Sequence, residues 1–249
     1  MRYAIYFAAD ADTPLMQLGT TWLGRDPFSG TAVQQPNVDG LDPARFADLT
    51  TSPRRYGFHG TLKAPFSLAE SATEDALFAA CTSFAQMIAP FDLKGLSVNR
   101  LGKFLALTPD QTEPNLEAFA SLCVRHFDPF RAPLNAEDLE RRRQANLTPK
   151  QDAYVEDWGY PYIFDEFRFH MTLSNKLENE VETETMTLGA ETHFSAVTNS
   201  ALTCRHFGLY VEPERGAPFD VHRIFELTGS ESPITALKMA LANPNEEVS

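Results

Sequence analysis

Two five-residue segments, 111 residues apart, are almost the same: Phe58-His59-Gly60-Thr61-Leu62 and Phe169-His170-Met171-Thr172-Leu173. A histidine two places before a Ser or Thr is common by chance, and His193-Phe194-Ser195 is a third case. The flanking Phe and Leu set the first two apart. A fold for this chain therefore has to repeat one polar–apolar alternation in each half. In a strand, alternate side chains share a face. In the first copy Phe58, Gly60 and Leu62 face one way; His59, Thr61 and Lys63 face the other, with Arg55 on their side. In the second, Phe167, Phe169, Met171 and Leu173 pack inward, and Arg168, His170, Thr172 and Ser174 share the opposite face. Each strand offers a cation, an imidazole and a hydroxyl in a row above an apolar layer. With the halves related by a pseudo-twofold axis, the two rows meet across one cleft.

The rest of the chain mixes strands and helices in roughly the same order twice. The alternation predicts strands over residues 2–8, 54–68, 93–98, 103–107, 167–174, 202–211 and 221–227. Helices are predicted over 14–23, from Ser71 (a capping box with Glu74) to Pro90, over 116–127, over 135–144 and, weakly, over 180–194. Residues 24–53 are rich in Gly, Pro and Asp and read as irregular, a long lid-like loop. Segment 128–160 reads as a connector between the halves. Ser232 and Pro233 cap a last short helix, and 243–249 read as frayed. The class is α+β with antiparallel pairs. One domain over 1–229 is expected, with motifs around 54–68 and 165–175, followed by a C-terminal helix and tail over 230–249.

Charge and cysteine content narrow the function. The 249 residues carry 21 Lys and Arg against 34 Asp and Glu, a net charge of −13, which speaks against a nucleic-acid partner. A local cluster of cations still suits a small anion. The three cysteines, Cys81, Cys123 and Cys204, form no CxxC pair, so neither a disulfide framework nor a zinc knuckle is indicated. No apolar run is long enough to span a membrane. A cytoplasmic protein with no membrane partner is expected. No dinucleotide-binding or P-loop segment occurs, and no HxH, HxxxH or HExxH spacing, so no cofactor and no metal are expected.

The paired rows suit phosphoester chemistry. Histidine is the side chain whose unperturbed pKa lets it give and take a proton near neutrality. One neutral imidazole at His59 or His170 deprotonates the attacking hydroxyl, and the other, protonated, supplies the leaving oxygen. The order is open at this stage. Thr61 and Thr172 hydrogen-bond the non-bridging oxygens of a small phosphorylated substrate, while Arg168 and Lys63 stabilise the charge that grows. Other candidates read as structural. They are His126, His193, His206 and His222, the packing residues Trp22 and Trp158, and Tyr56 on the core-facing parity. Arg141 to Arg143, interleaved with Glu137, Asp138 and Glu140, read as a solvated helix.

The paired H-x-T motifs resemble those of the two-histidine (2H) phosphoesterase superfamily. The wider contexts WLGRDPFSG, YGFHGTLKAPF and FRFHMTL resemble its bacterial branch found beside phosphonate-degradation genes. The resemblance runs from Tyr3 to about Leu227. It implies a bilobal fold with two antiparallel sheets flanking a central cleft and helices outside. It also implies cyclic-phosphodiester or related phosphoester chemistry, carried by His59, Thr61, His170 and Thr172; with no metal expected, the reading is a metal-independent phosphoesterase. Two alternatives stay open: an RNA-end 2′,3′-cyclic phosphodiesterase or ligase, and a non-catalytic module that binds a phosphorylated metabolite.

Overall fold

The first strand already has two different faces. In β1 (Arg2–Phe7), Tyr3, Ile5 and Phe7 enter the main core. Ala4 and Tyr6 point the other way, into a smaller cluster with Tyr210 and Phe219. The computed structural model describes residues 1–242. The expectation for residues 243–249 lies outside them. β1 sits inside a seven-stranded antiparallel sheet with β2 (Gly60–Phe66), β4 (Leu96–Leu101), β5 (Phe104–Pro109), β6 (Met171–Thr172), β8 (His206–Glu212) and β9 (Asp220–Glu226). The order is β4-β5-β6-β2-β1-β8-β9. A two-stranded sheet pairs β3 (Phe91–Leu93) with β7 (Leu202–Cys204).

The α+β class, the antiparallel pairing and the outer helices are as the sequence implies. The two lobes share hydrogen bonds. β6 pairs with β2 through Gly60 and Met171, which joins the strands flanking the cleft into one sheet. Gly60 is small for a reason: a Cβ there would stand 2.5 Å from the Phe169 ring.

Helices cover the core face. They are α1 (Pro14–Leu23), α2 (Pro43–Leu49), α3 (Thr51–Tyr56), α4 (Glu74–Met87), α5 (Pro114–His126), α6 (Ala136–Arg143), α7 (Pro149–Trp158), α8 (Glu180–His193) and α9 (Pro233–Ala242). Leu77 and Phe84 of α4 and Phe119 of α5 meet the β1 side chains in the main core, and α9 packs on α5. Buried Trp22 donates its Nε1–H to the Leu173 carbonyl at 2.9 Å, which ties α1 to the segment that carries His170. Among the described residues no helix is long and apolar enough to cross a membrane.

Several segments differ from the sequence expectation. Residues 24–42 hold no helix or strand, as expected, but Pro43–Leu49 is helical. Asp42 caps α2 through the Ala44 and Arg45 amides, and Val38, Phe46 and Leu49 are buried. The strand predicted from Arg54 begins only at Gly60, because residues 51–56 are helical. Helix α4 is capped by Thr73, whose hydroxyl accepts from Ala76, rather than by the Ser71–Glu74 box. The second motif strand is reduced to Met171–Thr172, and buried Ser174 accepts from the Leu105 amide instead of facing the cleft. The 128–160 connector holds both α6 and α7, the latter opened by a Thr148–Gln151 capping box.

Candidate active site

The Gly60–Met171 pairing fixes the site. Extended by one residue each way, this antiparallel register sets His59 across from Thr172 and Thr61 across from His170. All four side chains line one cleft of about 550 Å³.

The two imidazoles are held alike. His59 Nδ1 lies 2.8 Å from the Gly57 carbonyl oxygen, and His170 Nδ1 lies 2.8 Å from the Arg168 carbonyl oxygen. A carbonyl only accepts, so each Nδ1 carries the proton and donates, and each Nε2 is left for chemistry. Gly57 has φ 72° and ψ 169°, a backbone region essentially restricted to glycine. Its carbonyl is therefore aimed by a conformation that another residue adopts only under strain.

The surroundings of the two rings differ. His59 stacks on Tyr6, with centroids 3.8 Å apart and planes 23° apart. Its Nε2 is 3.3 Å from the Thr61 hydroxyl, which can donate to it. Burial pushes the His59 pKa down to about 4; the hydrogen bond to Gly57 opposes this, and the charge of a protonated His170 adds to it. His170 is half-buried and flanked by Phe104, ring centroids 5.7 Å apart. Beyond it lies a groove of about 420 Å³ lined by Thr61, Phe104, Tyr162, Phe167 and Arg168.

Two predicted cations are elsewhere. Lys63 is buried on the opposite side of β2, its Nζ 2.9 Å from both the Val124 carbonyl and Asp128. The cause is a β-bulge. Tyr6 pairs with Thr61, but Ile5 pairs with Lys63, so one extra residue of β2 sits between them and the alternation inverts. Burial pushes the Lys63 pKa down to about 8, against the opposing pull of Asp128. The Arg168 side chain lines the groove beyond His170 rather than the histidine cleft, to which it contributes its carbonyl.

Other arginines take their place. Arg2, Arg55, Arg141, Arg142 and Arg215 line the histidine cleft, and no carboxylate does. Buried Glu212 holds Arg2 at 2.5 Å and Arg55 at 2.6 Å. Asp138 holds Arg141 and Arg215, each at 2.6 Å. Arg142 lies over the Tyr160 ring, 4.8 Å from its centroid, and its buried Nε has no hydrogen-bond partner. Tyr56 also lines the cleft, contrary to its strand parity, because α3 is helical.

The remaining histidines lie outside the cleft. His193 bonds the Leu18 carbonyl at 2.9 Å, His206 meets Asp10, His222 meets Glu74, and His126 contacts the Ala80 carbonyl. Among the described residues no cluster of His, Cys, Asp or Glu is arranged to hold a metal ion.

Fold and cleft together define an α+β protein in which two H-x-T motifs, one from each lobe, face a shared basic pocket. The chain belongs to the family described as "Protein of unknown function (DUF1045)", whose model matches residues 61–220. It is 39% identical over 221 residues to "Ribose 1,5-bisphosphate phosphokinase PhnN" of Janthinobacterium sp. (strain Marseille), covering 88% of this chain and 49% of that protein. It is 35% identical over 224 residues to the protein of the same name from Laribacter hongkongensis (strain HLHK9), covering 90% and 51%. The chain thus spans about half the length of the curated relatives it matches. Among solved structures, TT0787 of Thermus thermophilus aligns with a TM-score of 0.45 and 14% identity, over 93% of this chain and 100% of that one.

Proposed function

We propose that the chain is a metal-independent phosphoesterase that opens a small cyclic phosphodiester by two-histidine general acid–base catalysis. The observation that carries the reading is the matched pair of imidazoles. Each has Nδ1 committed to a backbone carbonyl, and both rings line the same cleft, each across from the other motif's threonine. His59, kept neutral by burial, is the base. Its Nε2 takes a proton from water, the water oxygen bonds to phosphorus, and one ring ester bond breaks. The alkoxide that leaves takes the Nε2 proton of His170, and a phosphomonoester remains. Thr61 and Thr172 donate hydrogen bonds to the non-bridging oxygens, and the cleft arginines stabilise the added charge. Two imidazoles supply both proton transfers, so the route needs no metal.

A phosphorylated sugar is the favoured substrate. Most of this chain aligns with about half of two relatives named "Ribose 1,5-bisphosphate phosphokinase PhnN". The motif contexts resemble those of the branch beside phosphonate-degradation genes, so we assign it to phosphonate metabolism. The test is phosphorus NMR of product formation in EDTA, on a panel of nucleoside 2′,3′-cyclic phosphates, a ribose cyclic phosphate and a cyclic dinucleotide. A monoester formed in EDTA is the expected result. Turnover that requires an added divalent cation contradicts the mechanism, and binding without product favours a phosphometabolite-binding module.

A further inference from the structure

The histidine cleft is more basic than its proposed chemistry requires. Five guanidiniums line it; four of them share two carboxylates, Glu212 and Asp138, and Arg142 pairs with neither, which leaves a surplus of three positive charges. The whole chain carries −13, so this surplus is local. A cyclic phosphodiester brings only one negative charge.

The surplus also has a direction. A second cavity, of about 230 Å³, shares Arg2, Arg141, Arg142 and Arg215 with the histidine cleft; Asp138, which holds two of these arginines, and Lys63 and Arg131, which share Asp128, also line it, and Trp158 and Ile163 add apolar wall. Arg142 is the member with no carboxylate partner, and its Nε–H is buried without an acceptor. A buried N–H lacking an acceptor is costly, and an anion's oxygen bound there would relieve that cost. Arginine is also the side chain whose planar donors fit phosphate in a bidentate manner.

We infer that cleft and side cavity together hold two phosphates of one small molecule. The ester lies between the histidines, and a terminal phosphate monoester lies among Arg2, Arg141, Arg142 and Arg215. For the first of these groups the inference rests on the function proposed above. A terminal phosphate carries about −1.5 to −2 at neutral pH. With the diester's single charge, the ligand comes close to cancelling the surplus. The substrate class is thus a phosphorylated sugar cyclic phosphate rather than a bare cyclic ester.

Binding tests this separately from turnover. Titration calorimetry on the His170→Gln protein compares ribose 2,3-cyclic phosphate with the same compound phosphorylated at C5. The second phosphate is expected to tighten binding about tenfold or more. Arg142→Gln should reduce that gain to less than about twofold, and Arg215→Gln gives the same reading if the first variant folds poorly. Arg143→Ala should keep the gain, since Arg143 pairs with Asp152 and Glu156 and lines neither cavity. Equal affinity for the two compounds overturns the inference, as does a gain that survives both arginine variants. Tighter binding only of a trinucleotide ending in a cyclic phosphate also overturns it and points to RNA ends. If the gain is present but wild type forms no product in EDTA, the two-phosphate site stands and the proposed hydrolysis falls.

Discussion

Gly60 and Met171, the middle residues of the two H-x-T motifs, are opposite partners in the β2–β6 pair at the centre of the sheet. Because the strands run antiparallel, each motif's histidine meets the other's threonine. The site is thus generated by one register, and a slip of one residue in either strand would turn that strand's histidine and threonine to the core face.

That register depends on a small residue. In Gly60→Ala the new methyl meets the Phe169 ring at 2.5 Å, an overpacking that costs about 1–3 kcal/mol. The melting temperature is expected to fall by roughly 2–12 °C, with a loss of turnover beyond what the stability change explains. Phe169→Leu added to Gly60→Ala should recover part of both, and a double-mutant cycle measures the coupling. Additive effects would mean that the ring and the strand are independent.

The pH dependence has a definite sign. A pKa lowered to about 4 keeps His59 neutral, and competent as a base, far below its ordinary range. The acid limb of kcat/KM should lie near pH 4, and ring NMR signals of His59 should titrate there in the free protein. The same shift weakens folding in acid. Below about pH 6.5 the unfolded chain binds a proton that folded His59 refuses, a cost of about 2 kcal/mol at pH 5. His59→Gln should therefore lose less stability than wild type between pH 7 and pH 5, as measured by denaturant unfolding. A His59 midpoint near 6.5 contradicts this.

The threonines are expected to act on the transition state. A hydrogen bond to a charged group contributes about 1.5–3 kcal/mol. Thr61→Val and Thr172→Val should each lower kcat/KM roughly 10- to 100-fold, while the Ser variants retain most activity. A Val variant with unchanged kcat/KM removes that threonine from the mechanism.

How far the sequence could be read differs from residue to residue. The F-H-x-T-L frame alone was enough to bring His59, Thr61, His170 and Thr172 to one cleft, because strand alternation is local. Lys63 was misread because a bulge, visible only in the pairing of Ile5 and Tyr6 with β2, inverts that alternation after Thr61. Tyr56 is placed on the core side by strand parity, but it belongs to a helix and lines the cleft. Arg141 and Arg142 read as a solvated face because what draws α6 toward the cleft is long-range. Arg215 reaches Asp138 from 77 residues away, and Arg142 rests on Tyr160. Two missed helices did carry local signals, Asp42-Pro43 before α2 and the Thr148–Gln151 box before α7.

The central claim is that the two histidines act as one acid–base pair, and the most direct measurement is kcat for a cyclic phosphodiester in EDTA with His59→Ala, His170→Ala and the double variant. Each single change should lower kcat by about 10²–10⁴-fold in a protein that keeps its circular dichroism and melting behaviour. The double variant should be little worse than the poorer single one, since groups that work as a unit are not additive. Either single variant turning over within about threefold of wild type would contradict the account.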